Sequence, residues 1–103
     1  MIQGTLLVGF VTSNQLLNNT LITKQLRAGD VSVFPQGLIH FQLNNGTGDA
    51  VFIAMFDAQS PGVVTPTFAM FSTKPAMPME VLTKTFLMGE DEVTAMKSKF
   101  IGF

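Results

Sequence analysis

Residues 29–44 read GDVSVFPQGLIHFQLN, and the fold turns on this stretch. Gly29-Asp30 predicts a turn, Val31–Phe34 a short apolar strand, and Pro35-Gln36-Gly37 a second turn. A period-two alternation follows. Ile39, Phe41 and Leu43 are apolar, whereas His40, Gln42 and Asn44 are polar. Successive side chains of a strand point to opposite faces, so the two sets line opposite sides of a sheet. His40, the only histidine in the chain, is therefore presented on one face by a strand that a proline and a glycine have aimed. Glycine suits positions 29 and 37 because positive φ is cheap without a Cβ. Pro35 fixes φ on the way into the strand.

Working outward, Thr5–Thr12 and Leu21–Leu26 read as strands, with a polar loop over Ser13–Thr20 between them. Asn44–Asp49 is dense in turn formers and is expected to join two antiparallel strands. Val51–Phe56 is a continuous apolar run, the pattern of a strand buried on both faces. Pro61-Gly62 marks a turn. Val63–Ser72 reads as a last strand, which Pro66 confines to an edge or a bulge. Beyond Pro75 the period changes. Pro78 can open a helix over Met79–Met88, with Leu82 and Phe86 on one face and Gly89 as its stop. Glu90, Asp91 and Glu92 then begin a second helix, where negative charge suits the positive end of the dipole. Val93, Met96 and Phe100 form its apolar stripe. The expected organisation is one domain, mostly β over residues 1–74, with a helical extension over 75–103.

At 103 residues the chain is long enough to bury a core of its own. Six Lys plus Arg stand against seven Asp plus Glu with no basic cluster, so the electrostatic footprint of a nucleic-acid binder is absent. No apolar run reaches the length of a membrane span. Charged residues make up 13% and hydrophobic residues 47%. That balance suits a subunit that hides surface in an oligomer, or a fragment whose packing partner is gone; a somewhat greasy monomer fits it too. There is no cysteine, hence no disulfide. Met1–Val11 lacks the basic start and cleavage site of a signal peptide. N-x-T sequons stand at Asn18 and Asn45.

The spacing Gly29-x5-Pro35-x4-His40-x3-Asn44 resembles the second signature box of the cupin superfamily, in wording nearest to plant germins and germin-like proteins. Gly4–Val11 resembles the germin strand that follows the first box. Gln59-Ser60-Pro61-Gly62 and Glu80-Val81-Leu82 resemble the segments that follow the second. The resemblance implies a cupin, jelly-roll-like β-barrel. It also implies a manganese ion held by two histidines and a glutamate from the first box and one histidine from the second. Homo-oligomers, and oxalate oxidase or superoxide dismutase-type activity in the apoplast, come with it. On this chain it assigns a metal ligand to His40 alone, and no catalytic residue. Met1-Ile2-Gln3 stands where the first box would already have ended, so the expected fold is a barrel incomplete on its N-terminal side with a C-terminal α-helical tail. In germins that tail packs between subunits; packing on its own sheet is an equal alternative.

Taken without the family, a lone histidine on a strand is more often a hydrogen-bonded structural residue than a ligand. Metal centres of the zinc type take three or more protein ligands, and manganese favours carboxylate oxygen. Asp30 and Asp49 have no fixed spacing to His40. Asn44 shares its face but lies roughly 13 Å along the strand, which leaves Gln42 as the nearer polar neighbour. The seven methionines are scattered and read as core filler. There is no Walker loop, nucleophile elbow or cysteine nucleophile. The sequence therefore predicts a germin-like cupin that binds manganese weakly by itself and is catalytically impaired. A non-catalytic scaffold or oligomerisation module without metal is the alternative, and a truncated gene product is a further origin for such a chain.

Overall fold

Leu6–Val11 (β1) is the centre of a three-stranded antiparallel sheet, flanked by Leu21–Leu26 (β2) and His40–Leu43 (β3) in the order β2-β1-β3. The computed structural model describes residues 1–15 and 18–100. Leu6 faces Leu26 and Phe10 faces Ile22 on one side of β1, while Phe10 faces His40 and Leu7 faces Leu43 on the other. Directly opposed residues share a face. One face thus carries Leu6, Val8 and Phe10 of β1, Leu26, Lys24 and Ile22 of β2, and His40 and Gln42 of β3. Its centre is the core: Leu6, Val8 and Leu26 are buried, with Met1, Phe34 and Ala50 packed against them. The opposite face holds Gly9 between Thr23 and Phe41, and the Phe41 ring lies across the glycine.

Three sequence expectations are corrected in this part of the chain. Val31–Phe34 is irregular and joins no ladder. Its Val31 carbonyl accepts from Lys24 Nζ at 3.0 Å, and Phe34 serves as a core filler rather than a strand residue. Asn44–Asp49 does not connect two mutually paired strands. Leu43 faces Leu7 and Val51 faces Gln3, so the loop is an excursion after which the chain returns to the same side of the central strand. Val51–Phe56 is not doubly buried. Only Val51 pairs, and Ile53, Met55 and Phe56 are 69%, 86% and 64% exposed. A strand hidden on both faces needs neighbours on both faces, and here Ile2 and Gln3 hydrogen-bond Val51 alone while the residues after it stay exposed.

The chain divides into two compact units, Met1–Phe56 and Asp57–Phe103. The second is helical: Pro66–Phe71 (α1), Met79–Phe86 (α2) and Glu90–Lys99 (α3). The expected strand over Val63–Ser72 is thus a helix. Pro66 occupies the start of α1, where a missing N–H costs nothing, so the residue read as a strand breaker is a helix starter. Leu82 of α2 and Val93 of α3 are fully buried. Phe86 lies against Phe71, and Phe100 meets Phe68 edge to face with ring centroids 5.1 Å apart. The stop of α2 also differs from expectation. Leu87 ends it in the left-handed conformation (φ 54°, ψ 43°), while Gly89 caps the start of α3. The acidic first turn and the lysines of the last turn of α3 match the helix dipole as the sequence suggests. No helix among the described residues is long and apolar enough to cross a membrane.

Candidate functional site

Two turns of one design place His40. In Arg27–Asp30 the Asp30 N–H donates to the Arg27 carbonyl at 2.9 Å, and in Pro35–Leu38 the Leu38 N–H donates to the Pro35 carbonyl at 3.4 Å. Gly29 and Gly37 hold the third position with φ of 93° and 77°, the left-handed geometry that a type II turn requires there. The second turn delivers the chain to the sheet edge, where the Val11 N–H donates to the Ile39 carbonyl at 2.8 Å and β3 begins at His40.

The His40 ring is held on two sides. Its Nδ1 lies 3.1 Å from the Leu38 carbonyl oxygen. A carbonyl can only accept, so Nδ1 carries a proton, and in the neutral ring Nε2 is the nitrogen with the lone pair. The ring lies against Phe34 with centroids 4.7 Å apart. Nε2 has no hydrogen-bonding partner among the described residues, and the side chain is exposed on the core face of the sheet. Gln42 sits on the same face, two residues along.

The other residues singled out in the sequence do not join it. Asp30 accepts from the Arg27 N–H through Oδ2 at 2.9 Å and works as a turn residue. Asn44 is also consumed locally, Oδ1 accepting from the Gly46 N–H at 3.0 Å and Nδ2 donating to the Gly48 carbonyl at 2.9 Å. No three His, Asp or Glu side chains among the described residues are grouped so as to hold a metal. The manganese that the resemblance implies would find one imidazole donor and no grouped carboxylates among the described residues, which do not fit a closed metal cage. Sequence reasoning missed Phe34 as the ring that backs His40. It also missed an open recess of about 250 Å³ on the neighbouring part of the sheet, lined by Val8, Phe10, Ile22, Lys24 and Ser32 among others. His40 is not among its lining residues. Pairing with Phe10, Val8 and Leu6 of β1 puts Ile22, Lys24 and Leu26 on one face, which the mixed sequence of β2 did not by itself indicate.

The family model that matches is the cupin, over residues 1–94. The chain belongs to the cupin family. This cupin is 61% identical over 103 residues to germin-like protein 1-2 of Oryza sativa subsp. japonica, covering all of the chain and 44% of that protein. It is 54% identical over 101 residues to germin-like protein 4-1 of the same plant, and 47% over 100 residues to germin-like protein subfamily 1 member 7 of Arabidopsis thaliana. Those matches take 97% of this cupin and 40% and 43% of the two relatives. Among solved structures, oxalate oxidase in complex with the substrate analogue glycolate superposes with a TM-score of 0.85 at 35% identity, covering 98% of this cupin and 50% of that chain. The germin-like resemblance and the cupin fold class read from the sequence are thus established. Within the described residues the sheet stays open rather than closing into a barrel. The chain spans less than half the length of the relatives it matches.

Proposed function

We propose that this cupin carries one ligand position, His40, of a germin-like manganese protein. The parent activity would be of the oxalate oxidase or superoxide dismutase type, in a homo-oligomer outside the cell. The observation that carries the reading is the His40 geometry. Nδ1 is tied to a backbone carbonyl, the ring is backed by Phe34, and Nε2 is open on the core face. A ligating imidazole is ordinarily held in this way, its second nitrogen donating to a carbonyl that fixes the tautomer. The family membership and the likeness to oxalate oxidase support it.

By itself the chain binds manganese weakly and has little redox activity, because a single neutral imidazole leaves the coordination sphere to water. The chain's own contribution is positional: Leu38 and Phe34 set the ring, and Gln42 offers an amide on the same face to a bound small acid. The test is metal content by mass spectrometry on purified, size-fractionated protein, beside a His40→Ala control. Manganese far below stoichiometry in both is expected. Manganese at one per chain that disappears in the control would overturn the weak-binding reading.

A non-catalytic oligomerisation module is favoured by a separate observation, the exposed apolar run Ile53–Phe56. Solution size in the absence of metal distinguishes the two. A defined metal-free oligomer supports the module, and metal-dependent assembly supports the ligand role.

A further inference from the structure

The loop that follows β3 packs closely against the start of β1 at Gly46. A Cβ built there would collide with Thr5 Oγ1 of the central chain segment. The preceding residue is Asn45, so the two form an Asn-Gly step in an exposed loop. In such a step the Gly backbone nitrogen can reach the Asn side-chain carbonyl unhindered. Here, however, every group needed for that attack is engaged. Asn45 and Gln25 form a reciprocal amide pair: Gln25 Nε2 donates to Asn45 Oδ1 at 3.1 Å, and Asn45 Nδ2 donates to Gln25 Oε1 at 2.9 Å. The Gly46 N–H donates to Asn44 Oδ1 at 3.0 Å. Gln25 belongs to β2 and Asn45 follows β3, so the pair also ties the two edge strands together across β1.

We propose that Asn45-Gly46 is a latent modification site, converted to aspartate and isoaspartate through a succinimide whenever the Gln25–Asn45 clasp opens. In the reaction the Gly46 nitrogen bonds to Asn45 Cγ as it gives up its proton, and the Cγ–Nδ2 bond breaks to release ammonia. Solvent water then adds to either succinimide carbonyl, leaving Asp or isoAsp. Nothing is oxidised or reduced. The product carries a carboxylate where Nδ2 used to donate to Gln25 Oε1, so two acceptors face each other and the reciprocal pair cannot re-form. Opening is thereby made one-way, and it loosens the return of the chain from the His40 strand to the Val51 bridge.

The test incubates the intact chain in mildly alkaline buffer and follows residue 45 by peptide-mapping mass spectrometry. Wild type is compared native and in urea, and beside Gln25→Ala, Gln25→Glu and the site-less Asn45→Gln. Folding of each variant is checked by circular dichroism. Gln25→Ala should deamidate about tenfold faster than native wild type, the population change of one net hydrogen-bond equivalent, about 1.4 kcal/mol. Gln25→Glu keeps an acceptor for Asn45 Nδ2 and should fall between the two. In urea, wild type should match or exceed Gln25→Ala. Native wild type reacting as fast as the urea-unfolded chain would overturn the proposal. So would a folded Gln25→Ala or Gln25→Glu whose rate equals that of wild type. If Gln25→Ala does not fold, the Gln25→Glu rate and the native-to-urea ratio still decide.

Discussion

Gly9→Ala is the most informative single substitution in the sheet, because it presses on the strand that presents His40. A Cβ at position 9 would stand 2.7 and 2.8 Å from two carbons of the Phe41 ring and 3.0 Å from Thr23 Cγ2. The Phe41 ring must therefore leave its seat, and overpacking of this kind costs about 1–3 kcal/mol. Replacing a mid-strand glycine by alanine returns about 0.5–1 kcal/mol of backbone entropy. The net expectation is a destabilisation of about 1–2 kcal/mol. Phe41→Ala alone removes a ring that is only half-buried and should cost about 2 kcal/mol, below the roughly 3–5 kcal/mol of truncating a fully buried aromatic. The double variant should cost no more than Phe41→Ala, because the new methyl enters the space the ring has left. The coupling is then about 1–2 kcal/mol in the compensating direction, well above the additivity limit for independent sites. Urea titration followed by far-ultraviolet circular dichroism reads all four proteins. With a slope of about 1–3 kcal/mol per molar urea, the Gly9→Ala midpoint should fall by about 1 M. A Gly9→Ala midpoint equal to wild type, or strictly additive losses in the double variant, would refute the claim that Phe41 is seated on Gly9.

Leu87→Gly should stabilise the helical unit by about 1 kcal/mol, because a left-handed residue with a Cβ costs roughly 1–2 kcal/mol and this side chain, 91% exposed, packs on nothing. A thermal melt should rise by about 4–8 °C, and Leu87→Ala, which keeps the strain, should not reproduce the gain. Asn44→Ala removes both side-chain bonds of the post-β3 loop and should cost about 1 kcal/mol. Hydrogen exchange should show faster exchange at Gly46 while the β1–β2 ladder stays protected. Lys84→Ala breaks an exposed 2.7 Å pair with Glu80 one helical turn away and should change stability by less than about 0.5 kcal/mol; a larger loss in chemical denaturation would mean the pair is more than a surface contact.

Much of this cupin was legible because its signals are local. The bounds of β2 are the expected Leu21–Leu26, and β1 and β3 fall within a residue or two of the expected ends. Gly29 and Gly37 take the positive φ that their turns demand. Helix α2 starts after Pro78, and α3 opens on the acidic triplet Glu90, Asp91 and Glu92. Where reading failed, one residue admitted two roles. Pro66 breaks a strand or starts a helix, and nothing within a few residues of it distinguishes the two. Leu87 adopts a backbone that a Cβ disfavours while a glycine stands two positions on, so the stop was assigned to the wrong residue.

The candidate site divides along the same line. The sequence by itself determined that His40 stands on one face of a short strand behind two turns, since alternation and turn chemistry are properties of consecutive residues. It also showed a single histidine, with no carboxylate at a fixed spacing to it. Only the tertiary structure decided which ring nitrogen is open, that Phe34 backs the imidazole, and that Gln25 reaches Asn45 across β1. Those contacts join residues whose separation along the chain says nothing about their distance in space. They exist because β2 and β3 were brought to the two edges of one central strand.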